Sequence, residues 1–235
     1  MTALLNRYVP RFAVILLVMA VPLFLITTNV SIVINSGWLY NFGFERYDIE
    51  ESTGIEKPEL MRVAREIKHY FNSSDERLSV RAEVFGTERE LFNEREVEHM
   101  VDVKGLVRGV SFWQQTSFYT MVGIAVAGLV FAGRGRTLQL LGRGLFRGSV
   151  LTIALLVTLG VGSLFGFETL FEQFHFLSFS NDLWRLDPRR DYLIRIFPEG
   201  FFLSATLIIA GLTIGQALLT GGAIWAIRRR GLTKG

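Results

Sequence analysis

The sequence contains no cysteine and only three histidines, His69, His99 and His175. The first absence excludes disulfides, thiolate nucleophiles and thiolate metal sites, and it excludes a chain that is itself acylated on cysteine. A second absence is positional. No acidic residue occurs in 1–34, 117–167 or 201–235, so all 22 Asp and Glu fall in 35–116 and 168–200. With 50% of residues hydrophobic and 20% charged, this segregation fits a membrane protein better than a soluble domain. The pI near 9.4 is explained by arginines beside the apolar runs, so nucleic acid is not expected as a partner.

What is present is a set of four apolar runs, each close to the roughly 20 residues needed to cross a hydrocarbon core. They cover about 12–34, which holds no charge, 117–132, which borrows a turn from Phe112 and Trp113, 149–167 and 201–227. Backbone groups in lipid must be satisfied internally, so each run is expected to be helical. Pro22 removes one hydrogen bond from the first. That run exceeds the roughly 7–15 apolar residues of a signal peptide and no small-x-small cleavage site follows it, so it reads as an uncleaved anchor.

The expected fold is an all-α membrane protein with four transmembrane helices and a small, mostly helical extracytoplasmic cap. Residues 1–34 form a cytoplasmic tail and the first span, 35–116 the cap, and 117–133 the second span. Residues 134–148 form a basic cytoplasmic loop, 149–167 the third span, 168–200 an aromatic extracytoplasmic loop, and 201–235 the fourth span with a basic tail. Arg7, Arg11, Arg134, Arg136, Arg143, Arg147, Arg228, Arg229, Arg230 and Lys234 flank the spans with no acid among them. The excess of positive charge puts both termini in the cytoplasm and all three histidines outside.

Within the cap, Pro58 suits the first turn of a helix over 58–72, whose apolar stripe is Leu60, Val63, Ala64, Ile67, Tyr70 and Phe71. Alternation from Leu78 to Val84 reads as a strand, and Gly86-Thr87 as a turn. Asn93 is a good N-cap for a second helix, and Glu96 completes a capping box. Glu96, His99, Asp102 and Leu106 then share one face. The second outer loop is dense in aromatics: Phe165, Phe167, Phe171, Phe174, Phe176, Phe179, Trp184 and Tyr192, with His175 among them.

Histidine is the side chain best matched to proton transfer near neutral pH, and His99 and His175 each have acids nearby. The plainer alternative is a pair of interfacial polar residues. His69 lies on the polar side of its helix and reads as a surface residue. Asp102, one turn after His99, would fix its tautomer, unless it pairs with Lys104 or Arg108. Lys104 would bind an anionic headgroup or an oxyanion, unless it only snorkels. Asp187-Pro188 suits a turn.

Glu96-x-x-His99 and Glu172-x-x-His175 also match the spacing of di-iron carboxylate ligands, which would make a metal-dependent membrane hydrolase. Such ligands project from the middle of packed helices, and these spans carry no carboxylate. No metal and no cofactor are therefore expected. A non-enzymatic receptor or assembly factor is the remaining alternative.

Three stretches together resemble the bacterial lipoprotein intramolecular transacylase (Lit) family. They are Phe92-Asn93-Glu94-Arg95-Glu96 with His99-Met100 and Asp102-Val103-Lys104; Phe174-His175 with Asn181, Trp184, Asp187-Pro188 and Asp191; and Phe197-Pro198-Glu199 before Phe201-Phe202. Leu177, Ser178 and Ser180 depart from the more aromatic or basic neighbours expected after that histidine. The resemblance implies a bacterial cell-membrane acyltransferase with its site on the extracytoplasmic side. Its partners would be diacylglyceryl-modified lipoproteins and membrane phospholipid. It would move the sn-2 acyl chain from the glycerol of a lipidated N-terminal cysteine to that cysteine's α-amino group, leaving an N-acyl lyso-lipoprotein. His99 would deprotonate the amine, oriented by Asp102, and His175 would serve the oxyanion or leaving oxygen, the two roles being exchangeable. Asp102, Lys104, Glu96, Asn181, Trp184, Asp187 and Asp191 would support the site or bind substrate.

Overall fold

The apolar runs become long helices in the computed structural model, which describes residues 2–163 and 166–232. Phe165 and Lys234 lie outside the described residues, as do the side chains of Arg7, Arg228 and Arg230. In chain order the helices are α1 (Thr2–Asn35), α2 (Gly37–Arg46), α3 (Ile49–Thr53), α4 (Lys57–Asn72), α5 (Glu94–Phe131), α6 (Arg134–Ser163), α7 (Phe167–Ser178), α8 (Tyr192–Ile196) and α9 (Glu199–Leu232). Strands β1 (Arg81–Val84) and β2 (Thr87–Glu90) stand between α4 and α5. The chain divides into two compact units.

The first unit comprises Met1–Val30, Ser111–Val161 and Ile209–Gly235. Among the described residues, three helical segments are long and apolar enough to cross a membrane: Pro10–Asn35, Arg134–Gly162 and Glu199–Ile227. The expected span over 117–133 is the end of α5 and is not among them. Gln114 and Gln115 dilute its apolar stretch before the helix stops at Phe131. α1 continues as one helix through Pro10 and Pro22.

Residues 134–148, expected as a loop, are instead the first half of α6. Gly133, with φ 77°, ends α5 in the left-handed conformation, and α6 starts at the next residue. Glycines in this stretch serve close packing. A Cβ on Gly144 would stand 2.6 Å from the Leu17 Cβ, and one on Gly148 would stand 2.6 Å from the Val21 Cβ. Small residues four apart let two helix backbones approach, as in apolar surroundings generally. Asn29, 1% exposed, joins α1 to α9 by donating to Thr213 Oγ1 (3.0 Å) and Gln216 Oε1 (2.9 Å).

The second unit comprises Ser31–Val110 and Gly162–Ile208. α4 buries Leu60, Val63, Ala64, Ile67 and Tyr70 of the stripe expected from spacing, while Phe71 at its edge is only half-buried. α2 lies against it with Leu39, Tyr40 and Phe44 buried. β1 and β2 pair antiparallel from Arg81↔Glu90 to Val84↔Thr87. Their tight turn is Phe85-Gly86, with φ of 50° and 78°, the sign that a two-residue hairpin turn of this hand needs. Thr87, expected in the turn, opens β2. Every residue of β2 is exposed, so it has no apolar alternation by which to be recognised.

The Phe197-Pro198-Glu199 stretch anchors the start of α9. Tyr40, Phe44, Phe197 and Phe201 form one aromatic cluster with ring centroids 5.1–6.5 Å apart. Tyr47 donates to the Gly200 carbonyl at 2.5 Å, and its ring lies where a Cβ on Gly200 would be.

Candidate functional site

The site begins at the N-terminus of α5. Asn93 and Glu96 form the reciprocal cap: the Glu96 carboxylate accepts the Asn93 N–H at 2.8 Å, and Asn93 Oδ1 accepts the Glu96 N–H at 3.2 Å. Glu96 does more than cap. It is 1% exposed, and its second oxygen accepts the Leu193 N–H at 2.6 Å, tying α8 to α5. Asn93 Nδ2 donates to Asp191 (2.8 Å), whose other oxygen accepts the Asp187 N–H (2.7 Å). Glu96 and Asp191 thus fasten the 187–193 segment against the start of α5. Burial holds the Glu96 carboxyl above the usual range, and the N–H bonds it accepts oppose that shift.

One turn after Glu96, α5 presents His99, and α7 presents His175. Each is 7% exposed, and their ring centroids are 6.2 Å apart. Two imidazoles from distant stretches of chain can therefore reach one bound headgroup. Aromatic rings wall them in. Phe179 lies edge-on to His99 at 5.2 Å and 5.6 Å from His175. Trp184 stacks on His175 at 4.8 Å, and Phe171 lies 4.3 Å from it.

The two rings differ in their nitrogens. His175 Nδ1 lies 2.6 Å from the Phe171 carbonyl, which can only accept, so Nδ1 carries the hydrogen and Nε2 the lone pair. His99 Nδ1 is buried without a hydrogen-bond partner among the described residues. Burial pushes His99 down from 6.5 to about 4. A charge on His175 adds to that depression, Asp102 opposes it and Arg95 reinforces it. His175 is also lowered by burial, with the Phe171 bond opposing. Both rings are therefore neutral bases near pH 7, and a proton on one disfavours a proton on the other.

Asp102 makes a different bond from the one expected: its Oδ2 accepts from Asn181 Nδ2 at 2.8 Å, so it holds the loop after α7 while its charge acts on His99 through space. Lys104, 3% exposed, points to the end of α4, where it donates to the Asp75 carbonyl (2.6 Å) and lies 4.0 Å above the Tyr70 ring. Burial lowers its pKa. Asp187 pairs with Arg189 at 2.9 Å, which holds its carboxyl down at about 2. His69 is exposed. Of the four candidate metal ligands, Glu172 is exposed and both Glu96 oxygens are taken by backbone N–H groups. Among the described residues no three His, Asp or Glu side chains gather into a metal-binding group.

Three participants were not identified from the sequence. The Phe171 carbonyl precedes His175 by one turn, a spacing that could have been read. Phe179 was noted only as one aromatic among many. Arg95 precedes His99 by one turn and donates to the Asp182 carbonyl.

Comparison with known proteins adds three observations. Residues 15–202 match the family model described as lipoprotein intramolecular transacylase Lit. An uncharacterized protein of Aquifex aeolicus (strain VF5) is 33% identical over 162 residues, 68% of this chain and 69% of its own. The solved structure of the membrane-integral lipoprotein intramolecular transacylase Lit of Bacillus cereus superposes with a TM-score of 0.77 at 22% identity, covering 97% of each chain. A variant of that enzyme with histidine replaced by arginine superposes at 0.78 with 20% identity, covering 100% of this chain and 98% of its own.

Proposed function

Since the chain belongs to the lipoprotein intramolecular transacylase (Lit) family and is a membrane acyltransferase acting on lipoproteins, we propose that His99 and His175 carry the acyl transfer. The observation behind this reading is the buried pair of imidazoles with centroids 6.2 Å apart. The acyl chain moves from the sn-2 glycerol oxygen of the diacylglyceryl-cysteine to the α-amino nitrogen of that cysteine. Nucleophile and ester belong to one molecule, so much of the catalysis is orientation in the aromatic enclosure.

The α-ammonium has a pKa of about 7.7–8.0 and must be neutral to attack. His175 is the better base of the two, because Nδ1–H on the Phe171 carbonyl leaves Nε2 free and favours the imidazolium once formed. It takes the amine proton and returns it to the departing glycerol oxygen. His99, held neutral by burial, hydrogen-bonds the substrate at the same centre. This exchanges the two roles first expected. Glu96, Asp191, Asp187, Asn181, Asp102 and Trp184 position the pair, and Lys104 braces α5 against α4.

The end of α5 over 117–131 serves as a fourth span in addition to the three apolar ones, and residues 35–116 form an extracytoplasmic cap. Both termini are cytoplasmic, in keeping with the arginines beside the spans. Membrane phospholipid surrounds the site. In a bacterial host whose lipoproteins retain a free diacylglyceryl-cysteine, mass spectrometry of lipoprotein N-termini is the test. The chain should yield N-acyl lyso forms, and His99→Ala and His175→Ala should not. Wild-type conversion by either variant overturns that residue's role.

A further inference from the structure

Arg95 is out of place as a structural residue. It sits one helical turn before His99 on the same face of α5, half-buried. Its Nε is fully buried with no hydrogen-bond partner among the described residues. One terminal nitrogen donates to the Asp182 carbonyl, and no carboxylate among the described residues forms an ion pair with it. A buried N–H left bare in this way is costly unless an acceptor joins it. His99 Nδ1 is bare in the same way, on a ring only 7% exposed. Two unmatched polar groups one turn apart, one of them on a ring of the histidine pair itself, are what a site for a transient negative charge looks like before that charge forms.

We propose that Arg95 is a further catalytic residue, whose guanidinium donates to the carbonyl oxygen of the migrating acyl group as that oxygen becomes an oxyanion. The inference rests on the acyl-transfer reading of the histidine pair. The amine nitrogen bonds to the ester carbonyl carbon, and the carbonyl π electrons move to oxygen, where Arg95 donates. The amine proton passes to a histidine. The carbonyl then re-forms, the bond from carbon to the glycerol oxygen breaks, and that oxygen takes the proton back. The products are an amide and an alcohol, with no other reactant. A planar guanidinium suits the task because it keeps its charge at every working pH and offers several N–H groups, one of which can stay on Asp182. The aromatic enclosure excludes water from the charge and so strengthens the bond when it counts.

The test uses the full chain in lipid nanodiscs with a synthetic diacylglyceryl lipopeptide, product being read by mass spectrometry. Arg95→Gln should lower kcat by about 10²–10³-fold, the range for loss of one oxyanion donor, with KM changed only a few-fold. Arg95→Lys should retain more activity than Arg95→Gln. Added guanidinium should restore part of the activity of Arg95→Ala, an effect that a role in merely pinning the Asp182 loop does not produce. The inference is overturned by a kcat for Arg95→Gln within threefold of wild type. It is equally overturned by a loss that lysine does not lessen and guanidinium does not relieve. If the wild-type chain is inactive, or His99→Ala and His175→Ala retain full activity, the underlying reading fails instead.

Discussion

His175 donates to the carbonyl of Phe171, four residues back on its own helix, at 2.6 Å, and thereby has its tautomer set by the backbone. His99 Nδ1 has no equivalent partner among the described residues. The two rings of the pair are thus chemically distinct: one is prepared to accept a proton at Nε2, and the other is kept neutral by burial.

That difference can be separated from packing. In His175→Asn the amide nitrogen replaces Nδ1 and can still donate to Phe171, while nothing replaces Nε2. The variant should fold with a Tm near wild type and lose about 10²–10⁴ in kcat, the range for general acid–base catalysis. Lipopeptide turnover and thermal unfolding on one preparation decide it. Retained turnover would show that Nε2 carries no proton.

The activity profile should follow the substrate, not the enzyme. Both histidines lie below their ordinary range, His99 at about 4. Just below the amine pKa of about 7.7–8.0, where both rings are neutral, kcat/KM should therefore rise about tenfold per pH unit. Blocking the amine pKa from the profile, by pre-equilibrating with a substrate of less basic amine, should move the break downward. A break fixed near 6.5 with both substrates would point to an ordinary histidine.

Stability should have its own pH signature. His99 has its folded pKa depressed from 6.5 to about 4, so the unfolded chain binds the proton more readily. The contribution is fully present above pH 6.5 and is lost as pH falls from 6.5 toward 4, to an upper limit of about 3 kcal/mol. His99→Gln should flatten the fall in Tm between pH 7.5 and 5. An unchanged fall would mean that other groups cause it.

Glu96→Ala removes the acceptor for two backbone N–H groups, at Asn93 and Leu193. Each buried donor left bare costs about 1–3 kcal/mol. Lower Tm and faster hydrogen exchange at residues 187–196 should appear together. Loss of activity with neither change would instead give Glu96 a direct chemical role.

Local features of the site were readable from sequence spacing. The α4 stripe and the Asn93/Glu96 cap follow from helix period and from the needs of unsatisfied N–H groups, and both are present. What spacing could not disclose is what lies across the gap. Glu96 looked like a cap or a ligand, and its second bond goes to Leu193. Asp102 looked like the partner of His99, its helical neighbour, but Asn181 on another segment takes it. Helical periodicity tells which residues share a face and is silent about who arrives opposite. The 134–148 stretch was expected as a loop because its arginines interrupt the apolar pattern, yet α6 runs through it, with Gly144 and Gly148 in contact with Leu17 and Val21.

The latch formed by Glu96 and Asp191 gives the paired histidines an order of assembly. Chains are made from the N-terminus, and His99 is complete long before α7 and the 187–193 segment exist. A half-made chain holds only one imidazole of the pair, with no His175 ring opposite it, no Trp184 and no Leu193 N–H for Glu96 to accept. The pair is assembled late, once the 187–193 segment has bonded to the start of α5 through Asp191 and Glu96.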